Sequence, residues 1–330
     1  MGTIAPAGNG RALGETLARA GGTATVDAVR APAPPLPLPT RDGVGPSCVG
    51  LPPGAWPTVL AFLLERFPAV GTATWLARID AGEVIDEHGE TVTRTRPYRA
   101  HRRVYYYREI PDEPRVPFDE VLLFQDAHLV VADKPHFLPV TPGGKYLQES
   151  LLVRLKRRLG IDTLAPVHRI DRSTAGLVLF SVEPTTRGHY QRIFADREVH
   201  KTYEAVVHGP GPQPLPAVHR SRLAEDLAFM RMREVPGEPN SETRIEQLAA
   251  LDGGRLRLRL SPVTGRKHQL RVHCAALGMP IVNDPVYPVL RAEGDEDHAH
   301  PLQLLAQTLR FTDPVTGDAR VFRTTLSLGD

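Results

Sequence analysis

The sequence is poor in cysteine and in net charge, and it has no long apolar segment. Its 330 residues include two cysteines, Cys48 and Cys274, neither in a Cys-x-x-Cys pair, which argues against a structural zinc site or a disulfide framework. The net charge of +2 neither requires nor excludes nucleic acid as a partner. No apolar run is long enough to span a membrane, and the N-terminal residues lack the basic and then apolar pattern of a secretory signal. We therefore expect a cytoplasmic protein without a membrane partner.

Signatures of bound cofactors are also missing. The chain has no phosphate-binding glycine loop, no Rossmann glycine pattern and no dense cluster of histidine and cysteine. We therefore expect neither a cofactor nor a metal ion. The length and an apolar fraction of 41% are sufficient for two domains with real cores.

Composition changes along the chain predict three parts. Residues 1–50 are rich in alanine, glycine and proline, and a proline tract at 31–39 predicts a mostly disordered arm. Residues 51–110 form a small domain, in which apolar spacing predicts helices over 57–67 and 72–81 and short strands over 82–86 and 89–92. A proline-bearing acidic linker at 112–117 separates it from a larger domain, residues 117–330.

The most informative stretch is residues 168–177, which read His-Arg-Ile-Asp-Arg-Ser-Thr-Ala-Gly-Leu. Residues 175–182 are small and apolar, as in a strand that is buried on both faces. Asp171 is therefore expected just before the start of a core strand. The neighbouring arginines would keep its carboxylate ionised, which suits a nucleophile or a base. The alternative is a structural salt bridge or a turn aspartate.

This stretch resembles the His-Arg-Leu-Asp-Arg-x-Thr-Ser-Gly-Leu signature of the RluA-type RNA pseudouridine synthases. Residues 201–207 are similar to the family's Lys-x-Tyr-x-Ala strand, and residues 265–273 to its Gly-Arg-Thr-His-Gln-Ile-Arg-Val-His motif. Residues 277–287 follow the family's Leu-Gly-x-Pro-Ile-x-Gly-Asp-x-x-Tyr, with Asn283 in place of the second glycine. The resemblance extends from about residue 117 to the C terminus.

The resemblance implies an α+β pseudouridine synthase fold, in which helices and loops flank a mixed, mainly antiparallel sheet. Residues 51–110 resemble the S4 RNA-binding fold, although the arginine expected at the start of its second helix is missing. The implied activity isomerises specific uridines in ribosomal or transfer RNA to pseudouridine, without a cofactor, after the base is flipped out of the RNA. RNA is the implied partner, and we expect a monomer.

The resemblance also assigns catalytic roles. Asp171 corresponds to the catalytic aspartate, and Arg271 to the arginine that pairs with it. Tyr203 corresponds to the tyrosine that stacks beneath the target base; it is also a candidate for removing the C5 proton, although a phenol with a pKa of about 10 is a weak base. Leu270 and Ile281 would form an apolar wall against the uracil. Attack at C1′ and proton removal at C2′ both remain open for the aspartate.

Eight side chains are candidates for RNA binding. Arg169 matches the residue that fills the gap left by the flipped uridine, and Lys134 could contact a phosphate or be a surface lysine beside a turn. His168 and His268 are candidates with a structural hydrogen-bonding role as the alternative. Within residues 94–108, arginines alternate with tyrosines that could stack on bases, or that could cover a domain seam. The complete set is Arg169, Arg172, Lys134, His168, Arg266, His268, Arg102 and Arg103.

Two other functions compete with the synthase reading. A non-catalytic RNA-binding protein on the same scaffold is the first, although the presence of Asp171, Tyr203 and Arg271 argues against it. A carboxylate-based nucleoside hydrolase is the second, and it would need another carboxylate near Asp171, whose neighbours in the motif are basic.

Overall fold

The computed structural model describes residues 38–209, 211, 214–227, 231–291 and 297–329. Most of the predicted arm, residues 1–37, lies outside these ranges. Among the described residues, none of the helices combines the length and the apolar content of a membrane span.

The N-terminal part of the described chain folds around two helices and a three-stranded sheet. The helices pack against the sheet through a shared core that contains Leu63 and Trp75, both fully buried. The side chain of Thr58 caps the first helix by accepting a hydrogen bond from the backbone N–H of Ala61 at 3.1 Å. The elements are β1 Ser47–Gly50, α1 Val59–Arg66, α2 Thr72–Asp80, β2 Val84–Asp86 and β3 Arg103–Tyr106, and the strand order is β1-β3-β2.

Both predicted helices of this part are confirmed, but two predictions need correction. Residues 47–50 of the predicted arm form β1, which pairs with β3 and covers an edge that would otherwise be open. The strand expected over 89–92 is reduced to one bridge, between Ile85 and Thr91. The chain leaves the sheet there because Asp86 holds a tight turn, accepting hydrogen bonds from the backbone N–H groups of His88 and Glu90.

The second part is built on one large sheet of eleven strands within the described residues. The main path is β10-β9-β11-β12-β8-β13-β7-β5-β4, with β14 beside β13 and β6 beside β7. All pairs are antiparallel except β13 with β7, which makes the sheet mixed as predicted. The elements are β4 Val121–Gln125, β5 Leu129–Lys134, α3 Leu151–Leu159, β6 Ala165–Pro166, β7 Ala175–Ser181, α4 Arg187–Ala195, β8 His200–His208, β9 Val218–Glu225, β10 Met232–Val235, β11 Ser241–Leu251, β12 Arg255–Pro262, α5 Gln269–Ala276, β13 Leu304–Thr312 and β14 Ala319–Arg323.

The centre of this sheet brings distant motifs together. Strand β7 is buried along its whole length, as its apolar sequence predicts. Gly176 of β7 lies beside Ala306 of β13, which in turn pairs with Tyr203 of β8. Gly176 has a φ of +108°, and a Cβ there would lie 2.3 Å from the carbonyl oxygen of Ala306. Only glycine permits this close approach, which sets the start of β7 near Tyr203.

The two faces of the sheet have different surroundings. Directly paired residues share a face, so Leu258 and Leu260 of β12 lie on the same face as Tyr203, under α5. The alternating arginines of β12 therefore lie on the opposite face, where Arg257 donates to the carbonyl of Gly329 and Arg259 to Glu246. Arginine and leucine alternate strictly over 255–260, a pattern that predicts a half-buried strand, and β12 confirms it. Its arginine face points away from Tyr203.

The linker between the two parts is anchored rather than free. The carboxylate of Glu113 accepts hydrogen bonds from the backbone N–H groups of Leu147, Gln148 and Glu149, the last two at 2.9 and 2.7 Å. Arg108 donates to the carbonyl of Gly144 at 2.8 Å. These bonds connect residues 108–113 to the loop that precedes α3.

Candidate active site

Asp171 lies in the loop between β6 and β7, where its backbone carbonyl accepts from the N–H of Thr174 at 3.1 Å. Its side chain is 28% exposed, so the carboxylate is reachable from solvent. Its Oδ2 atom accepts a hydrogen bond from Nη1 of Arg271 at 3.0 Å. The sequence prediction that these two residues pair, across 100 positions, is confirmed as geometry.

Arg271 is held from two sides inside the core. Its side chain is 3% exposed, and Asp284 binds it in a bidentate manner, with Nε to Oδ2 at 2.8 Å and Nη2 to Oδ1 at 2.6 Å. Burial alone would lower the pKa of Arg271, but the hydrogen bonds and charges of Asp284 and Asp171 raise it above its ordinary value. The guanidinium is therefore a permanent cation with a fixed orientation.

Asp284 was missed as a site residue, although the family motif at residues 277–287 contains it. Its side chain is fully buried, and Oδ1 also accepts from the backbone N–H groups of Val286 and Tyr287 at 2.8 and 3.0 Å. The preceding Asn283 has a φ of +61°, which explains why the family has glycine there and why asparagine is tolerated. Asp284 orients Arg271 and has no exposed oxygen for substrate.

The loop before α5 brings His268 to the same place. His268 has a φ of +54° at the start of the helix, and Gln269 fixes this turn by bonding Thr264 at 2.6 Å and the N–H of Arg266 at 3.1 Å. His268 Nε2 lies 3.9 Å from Oδ1 of Asp171, and Nδ1 lies 2.9 Å from Oη of Tyr287. Burial lowers the pKa of His268 to about 4, against a smaller opposing effect of Asp171.

Tyr203 lies beside the carboxylate at the edge of an apolar cluster. Leu270 and Ile281, the predicted apolar wall, are both buried in this cluster. Burial raises the pKa of the Tyr203 phenol, and the charge of Asp171 raises it further. Tyr203 therefore stays protonated at neutral pH, which argues against its use as the base for the C5 proton.

Lys201 is a second residue that sequence reasoning missed. It is half-buried on the same strand as Tyr203, two residues earlier, and its ammonium nitrogen lies 3.8 Å from the position of a Cβ on Gly265. Burial lowers its pKa, and among the described residues no carboxylate forms an ion pair with it. The family's Lys-x-Tyr motif could have pointed to this lysine, but the resemblance was used to assign a role to the tyrosine alone.

Two predicted RNA contacts, Lys134 and His168, are bonded to backbone groups instead. Lys134 is fully buried, and its ammonium group donates to the carbonyls of Pro135, Leu138 and Arg172 at 2.8 to 3.0 Å, which leaves it no access to a phosphate. His168 accepts from the backbone N–H of Leu179 at 3.1 Å and stacks on Phe194 at 4.7 Å. Lys134 and His168 each satisfy backbone groups near β7, and in this way they stabilise the loops next to this strand.

The other predicted contacts in this domain include three arginines. Arg169 is exposed. Arg172 donates to the carbonyl of Phe137 at 3.3 Å and to Oη of Tyr146 at 3.2 Å. Arg266 is exposed and donates through Nε to the carbonyl of Asn240 at 3.1 Å. RNA binding by these three arginines stays a prediction.

The basic-tyrosine segment, residues 94–108, differs from its prediction. Tyr105, Tyr106 and Tyr107 are buried, so the expectation that they offer stacking faces to bases is wrong. Arg102 is exposed but pairs with Glu87 at 2.9 Å, and the same carboxylate accepts from the backbone N–H of Arg103. The tyrosines pack here because β3 is the central strand of the small sheet.

Within the described ranges, one group of side chains has metal-ligand types: His219, Glu234 and His273. Ser241 Oγ donates to the carbonyl of Ser221, so it accepts from Nε2 of His273 at 2.9 Å. Because Nε2 donates, Nδ1 of the neutral ring accepts from Oγ1 of Thr243 at 2.9 Å, and this oxygen also accepts from Gln269. Both ring nitrogens are engaged by hydroxyls, so the group fits a hydrogen-bonded network better than a metal centre.

Comparison with known proteins agrees with this geometry. Residues 128–276 match the RNA pseudouridylate synthase family. The dual-specificity RNA pseudouridine synthase RluA of Haemophilus influenzae is 34% identical over 212 residues, which cover 63% of this chain and 94% of that protein. The chain belongs to the RluA-type RNA pseudouridine synthases. An uncharacterised RNA pseudouridine synthase of Synechocystis is 31% identical to this synthase over 235 residues, covering 69% of this chain and 79% of the relative.

A solved structure shares the fold of this synthase. The human RNA pseudouridylate synthase domain containing 1 covers 64% of this chain and is itself covered to 85%, with a TM-score of 0.51 and 24% identity. The predicted α+β class is confirmed. The S4-like interpretation of residues 51–110 stays a prediction.

Proposed function

We propose that this synthase converts uridines of ribosomal or transfer RNA to pseudouridine with Asp171 as its catalytic carboxylate. The observation that carries the proposal is the pair between the solvent-reachable carboxylate of Asp171 and the buried guanidinium of Arg271 at 3.0 Å. The name of the Haemophilus influenzae relative supports RNA as the substrate class. We further propose that the protein is a monomer that acts in the cytoplasm.

The reaction is an isomerisation, so its atoms balance without an oxidant or a second substrate. The N1–C1′ bond breaks, the uracil turns, and C5 bonds to C1′; C5 loses a proton and N1 gains one. Asp171 either attacks C1′ or removes the C2′ proton. Both paths need an ionised carboxylate, which Arg271 favours by charge and by its fixed hydrogen bond.

Tyr203 would contribute a surface rather than a proton acceptor. Its phenol stays protonated at neutral pH, because burial and the charge of Asp171 raise its pKa. It lies at the edge of the cluster that contains Leu270 and Ile281. We propose that the flipped uracil stacks on Tyr203 between these apolar side chains, which would stabilise it by about 1–3 kcal/mol.

RNA would be held by basic side chains around the Asp171 carboxylate. Arg169 is exposed beside Asp171 and would fill the space that the flipped uridine leaves, which offsets part of an unstacking cost of a few kcal/mol. Lys201, Arg172 and Arg266 are the further phosphate contacts that we propose. We also propose that residues 117–330 form the catalytic domain and that residues 51–110 form an S4-like accessory domain.

The test is tritium release from RNA labelled at C5 of uridine, in separate pools of ribosomal and transfer RNA. We expect release by the wild-type protein and a loss of about 100- to 10,000-fold with Asp171→Asn. Asp112→Asn, which removes a charge from the exposed linker, is the matched control and should keep full activity.

Three outcomes would contradict the proposal. Equal tritium release from wild type and Asp171→Asn would exclude this carboxylate. Release of free uracil would instead indicate a nucleoside hydrolase, although Asp284 is poorly suited to be the second carboxylate, since Arg271 and two backbone N–H groups occupy its oxygens. Binding of RNA with no modification in either pool would indicate a non-catalytic RNA-binding protein.

A further inference from the structure

We propose that His268 is a positioning residue for Asp171, and that the hydroxyl of Tyr287 keeps the imidazole in the form with its proton on Nε2. The inference rests on the proposed role of Asp171 and adds a second partner to the one provided by Arg271. It concerns the carboxylate oxygen that Arg271 does not bind.

The form of the imidazole follows from a chain of hydrogen bonds. The backbone N–H of Met232, on strand β10, donates to Oη of Tyr287 at 2.8 Å. A backbone N–H can only donate, so the hydroxyl accepts there and its own proton is available for Nδ1 of His268 at 2.9 Å. Nδ1 then accepts, and a neutral ring must carry its proton on Nε2.

The position of Asp171 favours the same form. Nε2 of His268 lies 3.9 Å from Oδ1 of Asp171, on the side of the carboxylate opposite to the bond between Oδ2 and Arg271. With the proton on Nδ1, a lone pair of Nε2 would face a carboxylate oxygen, which is repulsive. With the proton on Nε2, an N–H faces it, which is attractive.

The two partners leave the two oxygens unequal. Oδ2 is bound by a permanent cation at 3.0 Å. Oδ1 has a neutral donor at a distance longer than a hydrogen bond. Oδ1 is therefore the oxygen that is available to react, and the N–H of His268 faces it.

The imidazole is held in place by the residues that also orient Arg271. Tyr287 meets the His268 ring edge-on, with 5.6 Å between ring centroids and an interplanar angle of 87°. The backbone N–H of Tyr287 donates to Asp284, the residue that binds Arg271. Both partners of Asp171 are thus oriented through Asp284. Burial keeps His268 neutral at pH 7, since it lowers the pKa to about 4.

The first experiment compares four variants by tritium release and RNA affinity: His268→Leu, His268→Gln, Tyr287→Phe and Asp171→Asn. We expect His268→Leu to lower kcat by about 10- to 100-fold with KM unchanged, because Asp171 loses orientation rather than RNA contacts. His268→Gln can place an amide N–H where Nε2 was, and it should recover most of kcat. Tyr287→Phe should lie between these two, since the ring survives but its tautomer is no longer set.

Each other outcome has a defined meaning. Wild-type kcat in His268→Leu would overturn the inference, and so would a His268→Gln variant as slow as His268→Leu. A rise in KM without a fall in kcat would also overturn it, because it would assign His268 to RNA binding. If Asp171→Asn keeps full activity, the proposed function itself fails; if only Asp171→Asn is inactive, the proposed function stands and this inference fails.

A second measurement observes the imidazole directly in the wild-type protein. Nitrogen-15 NMR of histidine-labelled protein distinguishes the two neutral forms of imidazole, and the His268 signal is assigned by its absence in His268→Gln. We expect the form with the proton on Nε2 at pH 7. A signal from the form with the proton on Nδ1, or from imidazolium, would overturn the inference.

Discussion

Two regions of this synthase are rich in basic side chains and tyrosine, and they use these residues in opposite ways. In the basic-tyrosine segment, arginines have carboxylate partners: Arg94 pairs with Asp80, Arg96 with Asp86, and Arg102 with Glu87. The tyrosines at 105–107 are buried. Around Asp171, Arg169 is exposed and Lys201 has no carboxylate partner among the described residues.

The difference teaches that composition alone does not identify an RNA-binding surface. A guanidinium that already has a carboxylate partner must give it up before it binds phosphate, whereas a cation without a partner gains from the first contact. A tyrosine within a core stabilises the fold, and a tyrosine at the edge of an opening can stack on a base. Four predictions test this contrast, in order of decreasing effect.

The largest effect is expected for Asp284→Asn. It removes the charge that binds Arg271 through two hydrogen bonds inside the core, and breaking such a buried pair costs about 3–5 kcal/mol. We expect a lower free energy of unfolding in urea together with a loss of tritium release. Asp80→Asn, at the exposed pair with Arg94, is the matched change in the N-terminal part and should alter neither.

The next effect concerns stacking. Tyr203→Leu should weaken binding of single-stranded RNA that contains uridine by about 1–3 kcal/mol, which is roughly 5- to 150-fold in Kd. Tyr203→Phe should keep the wild-type affinity, because the ring remains. In contrast, Tyr106→Leu should lower the free energy of unfolding and leave the affinity of the folded protein unchanged.

The third effect is a dependence of stability on pH. Burial lowers the pKa of His168 from 6.5 to about 3, so between these values the unfolded chain binds a proton that the folded protein does not. Stability must therefore fall as the pH falls through this window, by about 1.4 kcal/mol per pH unit for this residue. His168→Gln can still accept from Leu179 but does not titrate.

The measurement for His168 is urea unfolding at several pH values between 6.5 and 4. We expect His168→Gln to have a shallower slope of unfolding free energy against pH than the wild type. His88→Gln, at an exposed position of the N-terminal part, is the control and should keep the wild-type slope. A His168→Gln slope equal to that of the wild type would contradict the assignment.

The smallest effect compares two cations. Lys201→Met should reduce the slope of log affinity against log salt concentration by about 0.7, the value of one phosphate contact to a single strand. Arg102→Met should leave the slope unchanged, because Glu87 already pairs with this arginine. The contrast fails if Arg102→Met changes the slope and Lys201→Met does not.

Local patterns in the sequence were sufficient for several features. The apolar run at 175–182 predicted a fully buried strand, and the spacing of apolar residues predicted α1 and α2 within a few positions. The strict alternation at 255–260 predicted a half-buried strand. In contrast, residues 222–246 are weakly patterned, and they contain β10 and parts of β9 and β11 at one end of the sheet.

The sequence by itself determined the family motifs, the central elements and the identity of Asp171, Tyr203 and Arg271. Tertiary structure alone decided which charged groups are available. Lys134 and His168 looked like contacts for RNA, but Lys134, at the buried end of β5, and His168, in the loop before β7, bond to backbone groups. Asp284 belongs to the site because it orients Arg271, and His268 belongs to it because it faces Asp171. The physical reason is that burial and partners are set by side chains distant in sequence, such as the 100 positions between Asp171 and Arg271.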